Sequence, residues 1–140
     1  DFFVTMGIIF GLGVEVSWMA KHTFVDGPLS PLLRAMGGVA VDRSKSTGVV
    51  GQIVEQFQQR DHFVLALSPE GTRSKVHRWK TGFYHMANGS GVPIVPIALD
   101  YPDKRVAILP PFTPTGDIDT DLPKIKQMYA GFRGANPHQF

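Results

Sequence analysis

The 140-residue sequence has no cysteine, which excludes disulfides, thiolate metal sites and a cysteine nucleophile and leaves the redox compartment open. It is also nearly without charge imbalance. Its 14 basic and 12 acidic residues give a formal net charge of +2, so bulk charge does not point to nucleic acid and any basic signal is local. The apolar run from Phe2 to Val14 is interrupted by Gly7, Gly11 and Gly13 and stopped by Glu15. It falls short of the roughly 20 residues that a bilayer-spanning helix needs, and it lacks the basic leader and cleavage signal of a secretory peptide. There is no Walker loop, the Gly11-x-Gly13 pair lacks its third glycine, and Ser68 is not in a Gly-x-Ser-x-Gly elbow. The chain opens Asp1-Phe2-Phe3 without an initiator methionine and therefore reads as a piece of a longer frame.

What is present fits one domain, residues 1–140, with 43% hydrophobic residues to fill a core. Residues 2–12 read as a glycine-loosened helix, and the alternation of Val14, Val16 and Trp18 ahead of Lys21 predicts a strand. Pro28 and Pro31 precede a short helix over Leu32–Met36 that Gly37-Gly38 ends, followed by a brief strand at Val39 and Val41. Ser46 or Thr47 caps a helix that buries Val49, Val50, Ile53, Val54 and Phe57 and turns Glu55, Gln58 and Gln59 outward. The continuous apolar run Phe63–Leu67 reads as a central strand covered on both faces. A helix over Trp79–Ala87, strands near Ile94–Leu99 and Val106–Leu109, a polar loop over 110–121 and a helix over 119–132 complete the pattern. That last helix carries Leu122, Ile125, Met128, Tyr129 and Phe132 on its apolar side, with Asp119, Thr120 and Asp121 as candidate caps. Strands alternating with helices predict an α/β fold with a largely parallel or mixed central sheet and helices on both faces.

The richest stretch is Leu67-Ser68-Pro69-Glu70-Gly71-Thr72-Arg73-Ser74. A buried strand there delivers a carboxylate, a glycine, a hydroxyl and a guanidinium to one strand end, where open α/β sheets bind ligands. Gly71 admits backbone close to an anion, Thr72 donates a hydrogen bond, and Arg73 presents a fork suited to phosphate. The same residues also read as a proline-initiated surface turn with an exposed Glu70–Arg73 ion pair of little energetic weight.

Three blocks in order carry a resemblance. Ser68-Pro69-Glu70-Gly71-Thr72-Arg73-Ser74 resembles the Phe-Pro-Glu-Gly-Thr-Arg-Ser block of the lysophosphatidate and glycerol-phosphate acyltransferases. Gly38-Val39-Ala40-Val41-Asp42-Arg43 is similar to that family's glycine, apolar strand and Asp-Arg block, and Val92-Pro93-Ile94-Val95-Pro96-Ile97 to its late Val-Pro-Ile-Val-Pro block. Lys21 ahead of a proline-containing segment and Lys80-Thr81-Gly82 after the turn agree in spacing, so the likeness covers residue 1 to about residue 112. The resemblance implies transfer of a fatty acyl group from coenzyme A or acyl carrier protein to the hydroxyl of a lysophosphatidate-like glycerolipid. It gives Arg43 and Arg73 the acceptor's phosphate, places Lys21, Gly71 and Thr72 in the acceptor site, and makes Glu70 the acid of the turn. The bland alternative for Arg43 is a surface pair with Asp42.

That family's chemistry uses a His-x-x-x-x-Asp block, whose histidine takes the hydroxyl proton while the aspartate orients the imidazole. Five residues after His22, His62, His77 and His85 stand Gly27, Leu67, Gly82 and Ser90, and His138 is too near the end, so no histidine in the sequence completes the block. The spacing to Lys21 matches Asp1 to the block's aspartate, with the histidine expected upstream of residue 1. A substitute pair, His22 with Asp26, would meet on one helical turn, although Gly27 and Pro28 disfavour a helix there. No histidine pair has nearby carboxylates in a zinc-like set, so neither a metal nor a cofactor is expected beyond the acyl donor.

Lys75, Arg78, Trp79 and Lys80 form a basic strip with an aromatic anchor, which suits an anionic membrane surface or the phosphates of coenzyme A or a carrier protein, and equally a solvated loop. The chain is expected in the cytoplasm, peripheral to the membrane, without nucleic-acid partners. The competing expectation is a catalytically incomplete fragment that binds phosphate or lipid headgroups.

Overall fold

A computed structural model of the protein describes residues 7–8, 10–45, 48–69 and 78–132. Two compact units divide the chain, Asp1–Ser68 and Pro69–Phe140.

The first unit is built on a parallel sheet of β1 (Ser17–Lys21), β2 (Gly38–Val41) and β3 (Leu65–Ala66), in the order β2-β1-β3. The expected strand around Val16 and Trp18 is present as β1. Trp18 pairs with Gly38 and Lys21 with Val41 in β2, while Ser17 pairs with Leu65 in β3. Two short helices, α1 (His22–Val25) and α2 (Ser30–Ala35), link β1 to β2, and α3 (Gly48–Gln59) links β2 to β3. Pro31 sits in the first turn of α2, where its missing N–H costs nothing.

The Gly37-Gly38 stop works as the sequence predicts, with an added constraint. Gly37 lies at φ +84, and a side chain there would overlap the Val16 carbonyl. Its own carbonyl accepts the Trp18 N–H at 2.9 Å, which sets β2 against β1. The Trp18 indole N–H donates to the Met36 carbonyl at 2.9 Å and closes the same corner.

Along α3 the apolar side faces inward as its periodicity predicts, but only Ile53 is fully buried: Val49, Val50, Val54 and Phe57 are half-buried, and Glu55, Gln58 and Gln59 are exposed. The expected caps Ser46 and Thr47 lie outside the described residues. Val16, Ala20, Val25, Val39, Val41 and Ile53 form the buried apolar set of this unit. Of the expected helix over residues 2–12, the described residues 7–8 and 10–11 are helical, with the Leu12 N–H donating to the Ile8 carbonyl at 3.0 Å.

One expectation is corrected here. Phe63–Leu67 is not a central strand: only Leu65–Ala66 is extended in a ladder, at the edge of the described sheet, and Val64 is half exposed. A continuous apolar run records composition, and β1, whose pattern is weaker, takes the middle because both neighbours pair with it.

The second unit contains α4 (Gly82–Ser90), the antiparallel pair β4 (Ile97–Asp100) and β5 (Arg105–Ile108), and α5 (Ile118–Met128). The protein is therefore mixed α/β, parallel in one unit and antiparallel in the other. Helix α4 begins three residues later than expected, because the Lys80 N–H donates to the Pro69 carbonyl at 2.8 Å and holds Trp79 and Lys80 out of helical geometry. Ile94 pairs with Phe112 in an isolated bridge instead of extending β4, since Pro93 and Pro96 have no N–H for a continuous ladder.

The cap of α5 is Asp117, not Asp119, Thr120 or Asp121. Its carboxylate accepts the N–H groups of Asp119 at 3.1 Å and Thr120 at 3.4 Å, so the helix starts at Ile118, inside the stretch expected as loop; it ends at Met128, four residues before the expected end. Asp121 is buried instead. It accepts the Thr115 N–H and the Tyr84 hydroxyl, each at 2.7 Å, and the Thr115 hydroxyl at 2.9 Å. That network pins the 113–117 segment between α4 and α5, while Met86, Ala87, Ala98 and Ile125 supply the apolar core.

Candidate functional site

The parallel register of β1 and β2 sets their carboxyl ends side by side, since Lys21 pairs with Val41. The next residues, His22 on one strand and Asp42-Arg43 on the other, leave the sheet together, in the place where open α/β sheets take their ligands. Two of the residues expected in the acceptor site, Lys21 and Arg43, are thus brought to one edge, and both are exposed. Neither has a carboxylate within ion-pair distance among the described residues.

The turn that presents Arg43 is held at several points. The Gln52 side chain on α3 accepts the Asp42 N–H at 2.9 Å and donates to the Asp42 carbonyl at 2.6 Å and to the Gly48 carbonyl at 3.0 Å. The Asp42 carboxylate accepts the Ser44 hydroxyl at 2.6 Å and the Ser44 N–H at 2.9 Å. Those two bonds hold the Asp42 carboxyl below its ordinary value of 3.8 against a smaller opposing push from burial, with His22 and Lys45 adding to the pull. The Asp42–Arg43 surface pair does not form. Asp42 faces Ser44 and His22, whose Nδ1 lies 3.9 Å from its Oδ1. Among the described residues nothing pairs with the Arg43 guanidinium, as an anion ligand requires.

The substitute pair His22–Asp26 is likewise absent, though for a different reason than expected. The helical turn does form, with the Asp26 N–H donating to the His22 carbonyl at 2.9 Å, because Pro28 restricts only the residue before it. Asp26 instead accepts from the Arg34 guanidinium at 3.2 Å.

In the second unit, Arg78, Trp79, Lys80 and Thr81 line an open hollow of about 500 Å³ together with Leu122 and Lys126 of α5. The Lys126 ammonium lies 5.5 Å from the Trp79 ring centroid, and Tyr129 and Phe83 meet the same indole edge-on at 5.6 and 6.2 Å. Lys126 is the residue that sequence reasoning missed. Its signal was its position on α5, four residues after Leu122 and three before Tyr129, which carries it beside the apolar stripe rather than opposite it.

Asp1, Glu70, Gly71, Thr72, Arg73 and Lys75 lie outside the described residues. Among the described residues no cluster of histidine and carboxylate side chains has the makings of a metal site, and no helix is long and apolar enough to cross a membrane.

The mixed α/β fold agrees with the comparisons to known proteins. Residues 1–100 match the model of the Acyltransferase family, and the chain belongs to that family. It is 32% identical over 76 residues to the 1-acyl-sn-glycerol-3-phosphate acyltransferases of Escherichia coli K12 and of Salmonella typhimurium LT2, a match covering 50% of this chain and 31% of each relative. The matched region is thus under a third of the length of those proteins. The fold is similar to that of the 1-acyl-sn-glycerophosphate (LPA) acyltransferase PlsC from Thermotoga maritima, with TM-score 0.59 and 22% identity over 86% of this chain and 56% of that one.

Proposed function

We propose that the protein transfers a fatty acyl group from a thioester donor, coenzyme A or acyl carrier protein, to the free hydroxyl of a lysophosphatidate-like glycerolipid. Family membership supports acyl transfer. The observation that carries the choice of acceptor is the pair of cations, Lys21 and Arg43, at the carboxyl edge of β1 and β2, neither paired with a carboxylate among the described residues, with the Arg43 turn fixed by Gln52.

In this reaction the acceptor oxygen attacks the thioester carbonyl, its proton passes to a histidine base, and the thiol leaves carrying a proton. Asp1 takes the role of the acid that orients the imidazole, and Glu70, Gly71, Thr72 and Arg73 form the turn that shapes the acceptor site, with Arg73 a second phosphate ligand. Arg43 and Lys21 bind the acceptor's phosphate by charge-assisted hydrogen bonds, which locates the hydroxyl without taking part in bond making. No cofactor is required, because the thioester already supplies the activated acyl group.

The test is an acyl-transfer assay with two acceptors, lysophosphatidate and the matching monoacylglycerol, which lacks the phosphate. Arg43→Ala should raise KM for lysophosphatidate by roughly 10- to 100-fold, the worth of a charge-assisted hydrogen bond, and leave the monoacylglycerol reaction unchanged. Equal effects on both acceptors would refute the assignment. Binding of lysophosphatidate without transfer from any thioester would reduce the protein to a headgroup-binding module.

A further inference from the structure

His22 follows Lys21 out of β1 and faces the turn that carries Arg43, yet phosphate binding by those two cations does not use it. Its ring is unevenly placed. Nδ1 is buried with no hydrogen-bond partner among the described residues and lies 3.9 Å from Asp42 Oδ1, while 41% of the side chain is exposed. A polar atom buried without a partner costs stability, and a positive ring turns most of that cost into attraction to the carboxylate it faces.

Asp42 cannot swing away from this arrangement. Its carboxylate accepts from the Ser44 hydroxyl and N–H, its backbone is bonded on both sides by Gln52, and the Ser44 bonds keep its carboxyl below 3.8, with His22 adding to the pull. The acid that orients His22 therefore stands across the parallel ladder. Asp26, one helical turn along, is taken by Arg34.

Besides Asp42, the elements packed against α1 bring Lys21 at the end of β1, Arg43 and Lys45 on the turn after β2, and Arg34 on α2, which neutralises Asp26. Asp42 is the one carboxylate within ion-pair distance of His22 among the described residues. Against these cations, an anion arriving beside the ring makes its protonation more favourable, and protonation in turn strengthens the anion's binding.

Charge discriminates between phosphate classes at such an edge. Lysine and arginine side chains keep their charge near neutrality, whereas an imidazole changes charge between about pH 5 and 8. A phosphate monoester is close to a dianion near neutrality and a diester is a monoanion, so by Coulomb's law each added positive charge favours the monoester about twice as strongly.

We propose that His22, anchored by Asp42, is a specificity-determining residue that brings a proton-dependent third positive charge to the acceptor site and so selects a phosphate monoester over a phosphodiester. The proposal rests on the acyl-transfer reading of this site and adds headgroup discrimination to it. His22 contacts the headgroup and takes no proton from the reacting hydroxyl.

The experiment measures KM and kcat for lysophosphatidate and for the diester lysophosphatidylglycerol, with one thioester donor, from about pH 6 to about pH 8.5 in the native protein, His22→Gln and His22→Lys. Dividing each variant's KM by the native value at the same pH cancels the titration of the acceptor's own phosphate. For His22→Gln that quotient should be about tenfold with lysophosphatidate at the acid end and fall towards one at the alkaline end, with the diester showing about threefold at most and kcat spared. His22→Lys, whose charge is permanent, should keep the monoester preference at every pH and have a lower KM than the native protein at the alkaline end. Thermal midpoints near the native value show that both variants fold.

A quotient independent of pH, an equal rise for both acceptors, or His22→Lys behaving as His22→Gln would overturn the proposal. Calorimetric binding of lysophosphatidate near neutrality, in buffers of different ionisation enthalpy, separates it from the acyl-transfer reading. Proton uptake that is lost in His22→Gln, in a protein that transfers to no lysophospholipid, removes the enzymatic reading and keeps the role of His22. Normal transfer with proton uptake unchanged by His22→Gln removes the role of His22 alone.

Discussion

The side-chain amide of Gln52 bonds both backbone groups of Asp42, accepting its N–H at 2.9 Å and donating to its carbonyl at 2.6 Å. One residue of α3 thereby fixes the backbone immediately before Arg43. Gln52→Leu keeps the volume and removes both partners, which should cost about 1–3 kcal/mol for the groups left unpaired. Urea denaturation should show a lower midpoint with an unchanged slope, and the KM for lysophosphatidate should rise because Arg43 is no longer held. An unchanged KM with lowered stability would separate the clamp from the acceptor site.

Arg43→Lys tests whether shape or charge matters at the edge of β2. A point charge in place of a planar fork should give a KM for lysophosphatidate between those of the native protein and Arg43→Ala. Lys21→Ala should also raise that KM and leave the thermal midpoint unmoved, since Lys21 is exposed and has no ion-pair partner among the described residues.

Gly37 and Gly91 both have positive φ, +84 and +66, and differ in surroundings. Alanine at Gly91 meets open space and should lose only the backbone term, whereas alanine at Gly37 also drives its Cβ into the Val16 carbonyl and must shift β1 from β2. Each backbone term is about 1 kcal/mol. Gly37→Ala should therefore be the more damaging of the two in thermal unfolding, and equal losses would contradict the close approach.

Acid should loosen the second unit through Asp121. Burial pushes its carboxyl up, but the Thr115 N–H, the Tyr84 hydroxyl and the Thr115 hydroxyl together hold it below its ordinary value of 3.8. Asp117 is lowered in the same direction, chiefly by the Thr120 hydroxyl and N–H. A depressed carboxylate contributes stability that is present above 3.8 and is lost as pH falls through the folded value. Tyr84 is shifted the other way: burial first, then its bond to Asp121, raises it above 10.0, so its contribution is present below that pH and lost as pH rises through the folded value. Thermal midpoints measured across pH should thus fall at both extremes, Asp121→Asn should flatten the acid limb, and Tyr84→Phe the alkaline limb. An acid limb unchanged in Asp121→Asn would assign the loss to other carboxylates.

Much of the first unit was legible because its signals are local. Proline at the start of α2, glycine at its end and the three- and four-residue spacing of α3 act within a few residues, so α3 appears where expected and α2, Ser30–Ala35 in place of Leu32–Met36, within two residues of it. The boundaries that moved were set by distant partners. Helix α4 starts late because Lys80 bonds Pro69, and α5 is capped by Asp117 because Asp121 is drawn inward by Tyr84, a residue 37 positions away.

The sequence by itself determined the family, through three ordered blocks, and with it the chemistry to look for at Lys21, Arg43 and the Glu70–Arg73 turn. It also determined what is excluded, since no cysteine and no intact His-x-x-x-x-Asp block exist in these residues. Only the tertiary structure decided which charges are free to bind. Asp42 and Asp26 could each have neutralised a neighbour, and the parallel register and the α2 turn instead pair them with His22, Ser44 and Arg34, leaving Arg43 without a carboxylate partner among the described residues. Lys126 joins Trp79 only because α5 packs beside the start of α4. Pairing depends on distances across the fold, and spacing along the chain reports those distances only within a turn or two.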